Sequence, residues 1–368
     1  MKETLIFGAD ITKFGAVGDG KTDCTKSFLD ALSSKENLIT VPYGEYTIKS
    51  GLKILSNTKL HIHPLAKLIF DDISENTLIS AKPSAKSIII EGGTWICHDS
   101  EISANKSVFS FTGCENIRIA GCTVSSESRA SVYLEDCTDV RTEKISTVSR
   151  NNTVSSLIFK DCSDVTVKSI RYRSDCSENR QTNTSIIDFF GKNSAFYISD
   201  VISENAQCFI RSNENSVLDD IRVCGLTGGF TRCGAEFCKN SKVEYALLQE
   251  IDIFSSKSNE NCAYFKTEAD ISQFEIENFS RKTTCDSAPI IPTVIIRNQS
   301  GRSNLIIDGL AIDDVIGAKA RSKLTSMYPA RLANPHGRFI YTLEAEISSD
   351  DSFILPQGSF DALELSGK

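Results

Sequence analysis

Apolar and polar residues alternate along most of this chain in short runs, each closed by Cys, Asn, Asp, Ser or Gly. A period of two is what a strand with one buried face writes into its sequence. The runs also repeat one another. SVYLEDCTDV at 131–140 returns 25 residues later as SLIFKDCSDV at 156–165, and SVFSFTGCENI at 107–117 and GAEFCKNSKV at 234–243 fit the same template. Aligned on the apolar residue before each turn, the phrases are anchored by Phe111, Leu134, Phe159, Phe189, Ile210, Phe237, Phe265 and Ile296, at spacings of 21 to 31 residues. A second short strand follows each turn, as in NIRIAGCTV at 116–124 and DVTVKSIRY at 164–172.

One such unit cannot bury its own apolar face, whereas stacked units pair strand on strand and share a continuous core. The pattern therefore predicts an all-β, single-stranded parallel β-helix. Leucine-rich repeats have a similar period, but their Leu-x-x-Leu-x-Leu pattern is missing. One amphipathic helix is predicted, in TKSFLDALSSKEN at 25–37, with Phe28, Leu29 and Leu32 along one side. It would cover the open end of the solenoid against edge pairing. The predicted organisation is an N-terminal cap over 1–37, a β-helix over 38–315, and a tail over 316–368 that loses the period. The tail reads as a C-terminal cap or an oligomer contact.

Composition narrows the partners. Hydrophobic residues make up 40% of the 368 positions and charged residues 24%, as in ordinary globular proteins. A net charge of −8 argues against nucleic acid and against anionic membranes, both of which call for a basic face. No apolar run approaches the ~18 residues of a membrane span. The opening MKETLIFGADITKF lacks the pattern of a secretory leader. Cytoplasmic synthesis in a reducing compartment is the expectation, with secretion left open if the natural chain is longer. Of the thirteen cysteines, Cys114, Cys137 and Cys162 hold the same place in successive phrases, which suits small buried side chains stacking as thiols. With four His and no Cys-x-x-Cys pair, zinc is not expected, nor is any other metal or cofactor. His61 and His63 alternate on one strand without an acidic or Cys partner in view, and read as surface residues.

FGAVGDGKTD at 14–23, TVPYGEYTI at 40–48, SNTKLHIHPLAKLIFDD at 56–72 and IIIEGGTWIC at 88–97 resemble the opening coils of pectate-lyase-superfamily β-helix proteins. The resemblance is to the polygalacturonase-like glycoside hydrolase branch and to phage tailspikes, and covers roughly residues 10–300. It implies a right-handed β-helix and a polysaccharide or oligosaccharide partner. If the chain works as a spike, it implies a homotrimer and a place in a phage particle. The branch's catalytic motifs are degenerate here. Its Asn-Thr-Asp is similar to Asn183-Thr184-Ser185, its Asp-Asp falls on Ala206-Gln207, its His falls on Cys233, and its Arg-Ile-Lys reads Tyr264-Phe265-Lys266. The usual catalytic carboxylates are therefore absent from their usual places.

Residues flanking the inward anchors face outward. Asp188 and Glu236 fall two rungs apart, which sets their backbones ~9–10 Å apart. That is close to the ~6.5–9.5 Å carboxyl separation of an inverting glycosidase. They are the candidate acid and base. Arg211 on the rung between, Lys266 one rung beyond, and Lys160 would hold an acidic sugar, while Tyr133, Phe209 and Tyr264 would offer stacking rings. The plain alternative is a solvated face on which Asp188, Arg211 and Glu236 form an ion-pair ladder worth under ~1 kcal/mol per exposed pair. Three functions stand at this point. The first is hydrolysis of glycosidic bonds by a non-standard carboxylate pair. The second is glycan or receptor recognition without catalysis. The third is a polysaccharide lyase with Arg211 or Lys266 as base.

Overall fold

The computed structural model describes residues 8–280 except 35, 72, 99–105, 150–153, 176–183 and 256–261; from 281 onwards it describes the backbone of strands only. The chain divides into two compact units, Met1–Thr182 and Asn183–Lys368. Both are built from parallel strands stacked coil on coil. In the first unit Ser107–Thr112, Glu115–Ala120 and Thr123–Ser126 make one coil. Each pairs in parallel with its counterpart in the next coil: Ala130–Glu135, Thr138–Glu143 and Ser146–Ser149. Phe111, Leu134 and Phe159 stack in one file, as their alignment predicts. No helix among the described residues is long and apolar enough to cross a membrane.

The turns explain why the phrases repeat. In GCEN at 113–116, DCTD at 136–139 and DCSD at 161–164 the first and last residues all have positive φ, between 52° and 61°. Gly has no Cβ to clash there, and Asn and Asp tolerate the left-handed region better than other side chains. The Cys between them is buried each time. Cys137 Sγ lies 3.4 Å from the Phe111 carbonyl of the coil before and 3.3 Å from that of Glu135, and can donate to either. Cys162 repeats this with Leu134 and Lys160, at 3.5 and 3.3 Å. A small thiol thus fills the inside of a tight corner and caps its carbonyls. Larger rings fill the space between sheets: Trp95 stacks on Phe70 and meets Phe109 edge-on, with its Nε1 donating to the Gly92 carbonyl.

The helix is shorter than predicted, Thr25–Leu32. Phe28 and Leu32 face the coils and are buried, but Leu29 is exposed. One residue turns a helix by about 100°, so Leu29 leaves the face that Phe28 occupies.

In the second unit the anchors slip. Ile187, Ile210, Ala235, Phe265 and Val294 share one file, while Phe189, Ser212, Phe237, Thr267 and Ile296 share the next inward one. Phe189, Phe237 and Ile296 are therefore two residues away from the anchor positions predicted for them. A slip of two keeps every side chain on its own side of the sheet. Parallel pairing also continues beyond residue 316, with Ala330–Leu332 on Val294–Ile296 and Phe339–Leu343 on Ser303–Ile316. The tail carries stacked strands where its sequence pattern loses the period.

Candidate functional site

The slip brings four charged residues into one file. Asp188 pairs with Arg211, Arg211 with Glu236, and Glu236 with Lys266, on four successive rungs of the second unit. At strand spacing each step is about 4.8 Å, short enough for side chains on adjacent rungs to bond directly.

They do. Glu236 Oε2 accepts from Arg211 Nε at 3.3 Å, and its Oε1 accepts from Lys266 Nζ at 2.9 Å. A third cation joins from the same strand as Glu236: Arg232 Nη1 donates to Oε2. Asp188 accepts from Asn213 Nδ2, and Arg211 Nη1 sits 3.8 Å from the same oxygen while donating to Asn213 Oδ1. The Asp188, Glu236 and Arg211 side chains keep only 5%, 7% and 11% of their surface exposed. This is not a solvated face, and the small worth of exposed ion pairs does not apply to it. Lys266 and Arg232 reach further, with about a fifth of each side chain exposed, and Phe190, two residues after Asp188 on its strand, presents its ring to solvent.

Burial alone would raise the Glu236 carboxyl above its ordinary value. Arg232 and Lys266 outweigh that and hold it at about 2. At neutral pH Glu236 is an anion with no proton to give.

Two of the expected stacking residues are corrected by the structure. Phe209 and Tyr264 are fully buried and offer no face to a ligand. The Tyr264 ring packs against Phe230 and Phe279, at 5.1 and 5.7 Å between centroids. The reason is the corner of the coil. Ala263, Tyr264 and Phe265 are all buried in succession, and the neighbouring strands Lys192–Ser212 and Val217–Phe237 shift register between Ser203 and Cys208. Alternation fails where a strand turns a corner. Tyr133 and Lys160 belong to the first unit, where both contact Glu135: Tyr133 Oη donates at 3.3 Å and Lys160 Nζ at 2.6 Å. His61 has the acidic neighbour its sequence context did not reveal. Its Nδ1 lies 3.5 Å from Glu91, which Lys59 and Arg118 also contact.

The replaced motif positions Ser185, Ala206, Gln207, Cys233 and Tyr264 are all buried. Ser185 donates to the Ile187 carbonyl and Cys233 to that of Ala235. Asn183 lies outside the described residues. Phe190 flanks an expected anchor, Phe189, on its outward side. Arg232 and Asn213 do not flank an anchor, but each lies an even number of residues from a member of the file on the same strand or its continuation, so the period of two extends to them.

Comparison with known proteins follows the same lines. Residues 9–231 match the family model for rhamnogalacturonase A/epimerase, pectate lyase-like. A probable polygalacturonase of Arabidopsis thaliana is 26% identical over 152 residues, which are 35% of this chain and 32% of that protein. The chain thus spans about a third of the length of that curated relative. The family 28 exopolygalacturonase of Yersinia enterocolitica is 14% identical with a TM-score of 0.52, over 90% of this chain and 77% of that one. A tailspike protein mutant of E. coli bacteriophage HK620, solved with a pentasaccharide, is 11% identical with a TM-score of 0.60, over 92% of this chain and 71% of that one. At such identities the two structures speak for the fold alone.

Proposed function

The chain belongs to the rhamnogalacturonase A/epimerase, pectate lyase-like family, and from that we propose that it engages a polysaccharide, with the file from Asp188 to Lys266 recognising the glycan rather than hydrolysing it. The observation that carries this reading is the environment of Glu236. A glycoside hydrolase of the two-carboxylate type needs one carboxyl group that holds a proton for the leaving oxygen. Glu236 is instead ionised and held by three cations. Asp188 is engaged by Asn213. The carboxylates orient Arg211, Arg232 and Lys266, and the exposed parts of Arg232 and Lys266 favour an acidic sugar chain. Phe190 offers an exposed apolar ring two residues along the strand from Asp188.

Hydrolysis is the second reading, supported by two carboxylates two rungs apart in one file. Incubation with a panel of acidic and neutral polysaccharides separates the two. Recognition predicts binding by calorimetry with no reducing ends and no unsaturated products above the protein-free control. Reducing ends that appear with the wild-type chain and vanish in both Asp188→Asn and Glu236→Gln would replace recognition with hydrolysis.

A further inference from the structure

Arg232 spends only part of its hydrogen-bonding capacity. Its Nη1 donates to Glu236, but Nε and Nη2 are buried and have no acceptor among the described residues. A buried charged donor without an acceptor is costly, and native proteins keep very few of them. Such a cost persists where it serves a ligand. Nε and Nη2 form one edge of the guanidinium, and its two parallel N–H groups match the two oxygens of a carboxylate or sulfate.

The surroundings leave that edge available for such a group. Arg232 reaches Glu236 through Nη1 alone, and Glu236 is also held by Arg211 at 3.3 Å and Lys266 at 2.9 Å. Cys233, the next residue in the chain, does not supply an anion, since burial pushes its thiol well above the ordinary value. The Arg232 side chain as a whole keeps 20% of its surface exposed, while Nε and Nη2 themselves are buried. Binding through that edge requires the side chain to turn.

We propose that Arg232 receives an oxyanion substituent of the bound glycan through its Nε and Nη2 edge, and that it is the residue by which the site selects acidic chains over neutral ones. This rests on the reading that the file binds polysaccharide. Arg232 stands directly before the Cys that occupies the place of the motif His in the polygalacturonase-like branch.

Calorimetry on the full chain tests it with four probes: polygalacturonate oligomers, their methyl esters, dextran sulfate and dextran. The wild-type chain is expected to bind polygalacturonate at least about tenfold more tightly than the methyl ester, the loss expected when a charge-assisted pair is removed. Arg232→Gln is expected to bring the two affinities together by weakening only the acidic one. Arg232→Lys keeps the charge without the fork and should fall between. If Arg232→Gln does not fold, judged by its thermal transition, Arg232→Lys carries the test. Preference for dextran sulfate over dextran, also lost on substitution, extends support from carboxylate to sulfate, and preference confined to polygalacturonate supports carboxylate. An acidic preference that survives both substitutions overturns the role of Arg232, as does a wild-type chain that binds polygalacturonate and its ester equally. In either case polysaccharide recognition stands. A wild-type chain that binds none of the four overturns both.

Discussion

Glu236 shows how one residue can be set by its partners. Its folded value of about 2 lies below its ordinary 4.5, so the folded state holds its proton less tightly than the unfolded chain does. The stabilisation is complete above pH 4.5 and is lost as pH falls from there through about 2. Its size is on the order of 3 kcal/mol from that shift. Glu236→Gln removes the anion and leaves Arg211, Arg232 and Lys266 facing one another. Breaking a buried ion cluster from one side costs about 3–5 kcal/mol. Urea denaturation at pH 7 should show that loss. An acid titration of the variant should show a shallower fall between pH 4.5 and 2 than the wild-type chain. Equal acid limbs in the two proteins would mean that Glu236 is not held by its cations. None of this was legible in the residue itself. Asp188, Arg211, Glu236 and Lys266 could be picked from the sequence as outward and charged, but whether such residues pair in the open or lock together depends on what buries them.

The coil is the element that the sequence describes best. The corners in GCEN, DCTD and DCSD recur because each needs the left-handed region at both ends and a small inward side chain between them. Asp136, at φ 53°, gives a direct test. Asp136→Gly should leave stability unchanged or slightly higher, and Asp136→Ala should be less stable than Asp136→Gly by ~1–2 kcal/mol, because only Gly lacks the Cβ that this region penalises. The two urea midpoints against wild type decide it, and equal midpoints for Gly and Ala would mean that backbone conformation does not explain the repeated Asp. Register was harder to read than conformation. Ile187 and Phe189 are both apolar and both inward, so sequence alone offers two anchors of the same parity, and the larger ring was the wrong one to align with Ile210. Phe209 and Tyr264 failed for a different reason. Their places in the alternation say outward, and only the packing at a coil corner turns them in.

Across the whole molecule, stacking makes stability local. Within each unit a rung touches the rungs before and after it, and stacked repeats of this kind are held by the sum of such interfaces. The charged file adds direct bonds across four successive rungs of the second unit, whereas the first unit is stapled by its cysteine corners and by the Phe70, Trp95 and Phe109 stack. Damage at Glu236 should therefore stay near its own rungs. In Glu236→Gln, hydrogen exchange followed by mass spectrometry should quicken in Lys192–Ser212, Val217–Phe237 and Ala263–Thr267, which carry Arg211, Arg232 and Lys266. Ser107–Thr112 and Glu115–Ala120 in the first unit should keep wild-type protection. Quickening of equal size in all five strands would show that the two compact units open as one cooperative body. The charged file would then stabilise the whole chain, and nearest-neighbour coupling could not explain its effect.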